Sequence, residues 1–306
     1  ACIMVKLSNK YNLPSGLASS IQHINSSYSR GQSDISATSL ISSPTIKILS
    51  EKYNDQIETD VADLFYTILG TAVHEIIDKS DKTKNVIKEK RFFGKCKGWV
   101  ISGAIDRLIV SEAEFETEKI MFADIEDYKC TSVWAAINDK KEWHQQLNVY
   151  AWLLRQNGYS TRSLKIIVLA RDWQKSKAAE SQKNNGNYPA IPFVPINIPL
   201  WTDKQQDDYV ENRVLLHQEA DYLFTTMNVQ VGCTDEERWK NPPIYAVKIK
   251  KQKKALKLFD LEVDAQDYAK NIRESYIEVR PSIARRCKDY CNVKQFCELA
   301  KKEGYV

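Results

Sequence analysis

Residues 121–132 read MFADIEDYKCTS, an apolar run that ends with Asp124, Glu126, Asp127 and Lys129 inside six positions. The apolar part has strand character, and side chains alternate across a strand. Ala123, Ile125, Asp127 and Lys129 therefore share one face, while Phe122, Asp124, Glu126 and Tyr128 share the other. Asp127 closes a stripe that is otherwise apolar. A carboxylate buried there without a partner is costly or shifts its pKa until it is neutral.

Lys129 offers one partner, as a strand-end ion pair. The upstream stretch GAIDRL adds Asp106, which also interrupts an apolar strand and would lie beside Asp127 if the two strands pair. Adjacent carboxylates repel, and a single lysine answers only part of their charge. A hard divalent cation such as Mg²⁺ answers it better, taking the aspartates, a main-chain carbonyl and waters as ligands. Such an ion acidifies a bound water and stabilises charge on a phosphoryl oxygen. Lys129 would then position or deprotonate the attacking water, or neutralise the transition state. The chemistry is phosphodiester hydrolysis.

Outward from this strand, KEKRFFGKCKGWVISGAIDRLIVSE and KIMFADIEDYKCTS read as three strands joined mostly as hairpins, EWHQQLNVYAWLLRQNG as a helix and SLKIIVLARDW as another strand. The order predicts a mixed α/β core over residues 65–200, a helical lead-in over 1–64 with Asp34, Ser36 or Thr38 as caps, and a C-terminal region over 201–306. Residues 174–190 read as a mobile loop, a long helix spans Thr202 to about Asn228, and YAVKIKKQKKALKLFDL reads as a basic hairpin. On the helix preceding the strands, His74 follows Gly70 by one turn and precedes Asp78 by another, so Asp78 is placed to orient the imidazole. Gln146 and Tyr150 are four apart and share a helical face.

In order, Gly70-x-x-x-His74, Gly103-x-x-Asp106, Asp127-x-Lys129 and Gln146-x-x-x-Tyr150 resemble the RecB-type branch of the PD-(D/E)XK nuclease superfamily. More loosely, the chain resembles bacteriophage-encoded nucleases of this kind. The resemblance implies a restriction-endonuclease-like core, a mixed β-sheet flanked by helices, with helical additions at both ends. It implies that His74, Asp106, Asp127 and the carbonyl of Tyr128 ligate Mg²⁺ or Mn²⁺, that Lys129 is the catalytic lysine, and that Gln146 and Tyr150 hold the site or contact the DNA backbone. Glu75 and Glu126 are neighbours of the motifs; alternation turns Glu126 away from the metal unless the strand is bulged.

Near the C-terminus, Cys287, Cys291 and Cys297 stand in a short basic segment too small to fold on its own apolar surface, which favours a metal-ligand role. A four-ligand site needs one more thiol, and Cys233 is a better candidate than Cys2. Four thiolates hold either Zn²⁺ or an iron–sulfur cluster. Several resembling nucleases carry a [4Fe-4S] cluster on three C-terminal cysteines and one upstream, a pattern from which this chain departs in its upstream region.

The chain has 306 residues, of which 43% are hydrophobic, enough for a large core. Its 44 basic and 40 acidic residues leave a net charge of only +4, which permits nucleic-acid binding without arguing for it. Within KIKKQKKALK, Lys250, Lys251, Lys253 and Lys254 are candidate phosphate contacts, divided by alternation between the two sides of the hairpin. Trp143 and Trp173 flank the site and offer faces for unpaired bases, although burial alone would account for them. The N-terminus carries no export signal and no run reaches membrane-spanning length, so the expectation is a soluble protein of the cytoplasm, the host's if phage-encoded. The reading is an exonuclease acting on DNA in phage recombination, replication or repair, with proteins of those processes as possible partners. Two alternatives stay open: a DNA-binding scaffold that keeps the nuclease fold without activity, and a zinc-stabilised nucleic-acid module centred on the cysteines.

Overall fold

The computed structural model describes residues 6–27, 31–80, 82–115, 118–250 and 252–306. The chain opens with β1 (Lys6–Ser8), α1 (Ser15–Ser27), β2 (Ile35–Ser36), α2 (Ala37–Ile41), α3 (Pro44–Lys52), β3 (Glu58–Asp60) and α4 (Phe65–Ser80). The strands β4 (Val86–Cys96), β5 (Trp99–Phe115) and β6 (Glu118–Thr131) follow, then α5 (Val133–Ile137), α6 (Lys141–Gln156), β7 (Tyr159–Ala170), α7 (Lys175–Lys183), β8 (Phe193–Ile198) and α8 (Asp203–Met227). Last come β9 (Ile244–Ile249), β10 (Lys257–Phe259), α9 (Glu262–Lys270), β11 (Ser275–Arg280) and α10 (Glu298–Lys302).

A six-stranded mixed sheet in the order β2-β5-β6-β7-β8, with β4 also paired to β5, carries helices on its faces, the α/β architecture expected. β5 is antiparallel to β4 and β6, while β6 and β7 run parallel because α6 carries the chain back between them. The antiparallel ladder between β5 and β6 ends at Arg107 and Glu126, whereas β6 stays paired with β7 as far as Thr131 and Ala170. The sheet therefore forks just beyond Arg107, and Asp106 and Asp127 stand at the fork.

Helix α6 is the main buttress. Every residue from Gln146 to Leu154 is buried, because the sheet covers one side and α2 and α8 the other. Two glycines allow the close approach: a Cβ on Gly94 would meet the Trp152 ring at 2.5 Å, and one on Gly103 would meet the Tyr150 ring at 2.7 Å and Leu153 at 2.8 Å. The glycine of the G-x-x-D motif is thus the seat of the tyrosine of the Q-x-x-x-Y motif.

A second apolar cluster joins α3, the end of α8 and the cysteine segment through Ile48, Leu49, Phe224, Val293 and Ala300. The small sheet β10-β9-β11 with α9 stands as a further unit.

Some local expectations change. Residues 175–183 form α7 in place of part of the expected loop, because Ala178 finds a buried position and the surrounding Lys, Glu and Gln tolerate helix. The hairpin acquires a third strand, β11, and β9 ends at Ile249, so Lys250, Lys253 and Lys254 are exposed in the loop to β10, where strand alternation does not govern them. Lys251 lies outside the described residues, as does Cys2. Ser36 is the residue that caps α2, accepting from the Ser39 backbone N–H.

Candidate active site

The fork frees one backbone donor. Tyr128, one residue past Asp127, has lost its β5 partner, and its N–H donates instead to Asp106 Oδ2 at 2.9 Å. That bond fixes Asp106 against β6. Burial, then the charge on Asp127, raises the Asp106 pKa to about 7. The two carboxylates are thus close enough for the charge on one to be felt by the other.

Helix α4 brings His74 to it. The Nε2 atom lies 3.2 Å from the Tyr128 carbonyl and 3.7 Å from Asp106 Oδ2, while Nδ1 faces Glu89 Oε1 at 3.3 Å. The hydrogen bond that the imidazole donates to Glu89, together with the Asp106 charge, outweighs burial and raises the His74 pKa to about 9. Asp78, expected to orient the imidazole, instead pairs with Lys88 at 3.3 Å. Glu75 is turned outward onto Lys79, and Glu126 pairs with Arg107 at 2.5 Å on the far face, as alternation requires.

Glu89 is the residue that sequence reading misses. It stands opposite Asp106 in the β4–β5 register, between the Lys88–Arg107 and Lys90–Ile105 pairs, and its φ is +48°. A left-handed residue within a strand re-aims its side chain, here onto His74. His74, Glu89 and Asp106 are the one group of potential metal ligands among the described residues whose donor atoms lie within 4.8 Å of one another. Asp127, expected in that set, is turned toward α6. Its Oδ2 lies 2.7 Å from Lys129 Nζ, and its Oδ1 accepts from Gln146 Nε2 at 3.3 Å.

Asp127 is 1% exposed, so Lys129 answers its charge from within the sheet. Burial opposes the ammonium, but Asp127 and Asp106 outweigh it and raise the Lys129 pKa. Gln146 Nε2 also donates to the Tyr150 hydroxyl at 2.8 Å, so the helical pair and the aspartate form a chain running from the core to the fork. Trp143 and Trp173 pack against the main core, and the Trp173 indole donates to the Pro189 carbonyl at 2.9 Å.

At the other predicted centre, Cys233, Cys287, Cys291 and Cys297 line one cavity, closed by Thr45, Leu49 and Val293. Burial pushes the Cys233 thiol up to about 11 and raises those of Cys287 and Cys291. Cys233 Sγ also meets Ser43 Oγ at 3.0 Å. Among the described residues no three thiols come within 4.8 Å of one another. Tetrahedral Zn²⁺ with bonds of about 2.3 Å holds sulfurs about 3.8 Å apart.

A family model described as the PD-(D/E)XK nuclease superfamily matches residues 68–298. The chain belongs to the PD-(D/E)XK nuclease superfamily. The matched span holds all the site residues above, and membership implies a metal-dependent nuclease. A solved structure titled "Crystal structure of SSO0001" is similar at 17% identity and a TM-score of 0.43, covering 69% of this chain and 93% of that one. No curated protein matches. Among the described residues no helix is long and apolar enough to cross a membrane.

Proposed function

We propose that this superfamily member is a RecB-type deoxyribonuclease that uses Mg²⁺ or Mn²⁺ and acts as an exonuclease in phage DNA recombination, replication or repair. One observation carries the reading: His74 Nε2, Asp106 Oδ2 and the Tyr128 carbonyl converge at the sheet fork, at 3.2 and 3.7 Å from the imidazole, beside the Asp127–Lys129 pair. Neighbouring ligands on an octahedral ion with bonds of about 2.1 Å stand about 3 Å apart, so the donors fit a Mg²⁺-sized ion with little movement. When bound, the ion supplies an acidified water and stabilises charge on a phosphoryl oxygen.

The protein's own residues do the rest. Asp106 and His74 hold the ion, and Glu89 fixes the imidazole so that Nε2 points inward. Asp127, beside them at the fork, anchors Lys129. The ion-paired lysine serves as a fixed positive charge that positions the water and offsets charge on the phosphate. Gln146, backed by Tyr150, keeps Asp127 in its rotamer. Lys250, Lys253 and Lys254, exposed on one loop, would follow the DNA phosphates in a salt-dependent way, and the sequence adds Lys251 to the candidates. The motif order supports the RecB-type branch, and the likeness of the flanking segments supports a phage role.

The four thiols fit a metal group, since they share one cavity and burial holds Cys233, Cys287 and Cys291 in the uncharged form without one. No three of the sulfurs lie as close as one Zn²⁺ holds them, and the preference for a [4Fe-4S] cluster rests on the resemblance to nucleases that carry one. Such a cluster would clamp the C-terminal segment onto α3 and α8. Iron and zinc analysis of protein purified without oxygen decides the metal: zinc without iron would overturn the cluster.

The test of activity is incubation of end-labelled linear and closed-circular DNA, single- and double-stranded, with Mg²⁺ or Mn²⁺. An exonuclease shortens linear DNA from an end and spares circles. Circles cut as readily as linear DNA would overturn the exonuclease reading. DNA left intact with either ion would overturn nuclease activity itself and favour the scaffold.

A further inference from the structure

The mouth of the fork carries large rings that the core does not use. Phe65 is 53% exposed, Tyr66 55% and Trp134 60%. Scattered exposed aromatics are ordinary, but Phe65 and Tyr66 adjoin, and Tyr66 and Trp134 are each capped by a cation. The Phe65 and Tyr66 rings meet edge to face at 5.3 Å, the Arg171 guanidinium lies 3.8 Å from the Tyr66 ring centre, and Lys140 Nζ lies 4.1 Å from that of Trp134.

Each ring is tied to the strand that carries the site. The Arg171 backbone N–H donates to the Thr131 carbonyl at 2.8 Å and its guanidinium to the Cys130 carbonyl at 3.3 Å, two and one residues past Lys129. Trp134 follows directly in α5, and the Val133 N–H is held by Asp172 at 2.6 Å, next to Arg171. Tyr66 precedes His74 by eight residues on α4, about 12 Å along the same stripe. Between them Gly70 leaves open space, since a Cβ there would meet nothing within 4 Å. The helix surface is thus open at the point midway between Tyr66 and the imidazole.

We propose that Phe65, Tyr66 and Trp134, with Arg171 and Lys140, form a stacking platform for unpaired bases and select single-stranded DNA for the site. The proposal rests on the nuclease reading for its substrate. Aromatic faces and guanidinium planes accept the π-faces of bases, and the cations meet the neighbouring phosphates. Bases inside a duplex are already stacked and cannot present those faces. The charge is complementary as well, with Lys129, Arg171 and Lys140 on the approach.

The experiment measures binding of a fluorescent oligothymidylate of about 15 nucleotides, and of a duplex of the same length, to the full chain in EDTA, where no cleavage occurs. Tyr66→Ala and Trp134→Ala are expected to weaken oligothymidylate binding by about tenfold each, with duplex binding unchanged. Tyr66→Phe and Trp134→Phe, which keep a ring, are expected to restore it. Because the rings are exposed the variants should fold, and thermal melts check this. Variants that bind oligothymidylate like the parent, or that lose both ligands equally, would overturn the platform, as would a parent chain that binds no oligothymidylate. Cleavage by the parent with Mn²⁺ is scored separately. Cleavage with ring-independent binding sinks the platform alone, whereas ring-dependent binding without cleavage sinks the nuclease reading alone.

Discussion

Replacing Glu89 with glycine should separate stability from metal binding. Glu89 is held at φ +48°, and a side-chain-bearing residue in that region costs about 1–2 kcal/mol that glycine does not. Opposing this, the variant loses the pair with His74, whose side chains are 29% and 46% exposed, and such a pair contributes about 0–1 kcal/mol. The metal-free chain should therefore hold its stability or gain up to about 2 kcal/mol. Metal affinity should move the other way. The carboxylate behind a metal-ligating histidine is worth about 10–100-fold in affinity, and Glu89→Gly removes it. Urea melts of the metal-free protein and calorimetric titration with Mn²⁺ read the two effects, and Glu89→Gln, which keeps an acceptor, should fall between. An unchanged Mn²⁺ affinity, or a loss of more than about 1 kcal/mol in the metal-free chain, would refute the reasoning.

Further outcomes follow from neighbouring contacts. Asp127→Asn should fold normally and lose about 100-fold or more in DNA cleavage rate. Lys129→Ala should also lose cleavage but destabilise by about 3 kcal/mol, because it strands a carboxylate that is 1% exposed; chemical denaturation distinguishes the pair. Gly103→Ala should cost about 1–3 kcal/mol and reduce activity, since the new methyl meets Tyr150 at 2.7 Å and disturbs the chain to Gln146 and Asp127. His217 is 1% exposed, and burial followed by the Arg213 charge lowers its pKa to about 4. In the unfolded chain it takes up a proton near pH ~6.5, so stability is full above that pH and falls by about 3 kcal/mol as pH drops toward ~4. His217→Gln, which keeps a donor for the Leu40 carbonyl, should flatten that part of the pH–stability curve.

Much of the site was legible because periodicity encodes direction. Alternation alone turned Asp127 inward and Glu126 outward, and the four-residue step placed Gln146 and Tyr150 on one face. Helix α8 was readable at both ends because Thr202 forms a capping box with Gln205 and Asn228 takes a left-handed φ of 52°. Glu89 is not legible, since a left-handed residue in a run of alternating charges leaves no local signature. The partner of His74 was misread as Asp78 for a related reason: helical spacing favours near neighbours, while the actual contact comes from a strand fifteen residues away. Polar α7 was read as loop because one buried alanine is a weak periodic signal. The exposed rings were overlooked in favour of Trp143 and Trp173, because sequence does not say which aromatics the core will absorb.

The central claim is a divalent ion at the sheet fork, and crystals soaked in Mn²⁺ test it most directly through the metal's anomalous signal. The account predicts a peak within about 2.2 Å of His74 Nε2, Asp106 Oδ2 and the Tyr128 carbonyl, absent from an Asp106→Ala crystal. A fork without a peak at saturating Mn²⁺, or a peak that persists without Asp106, would contradict it.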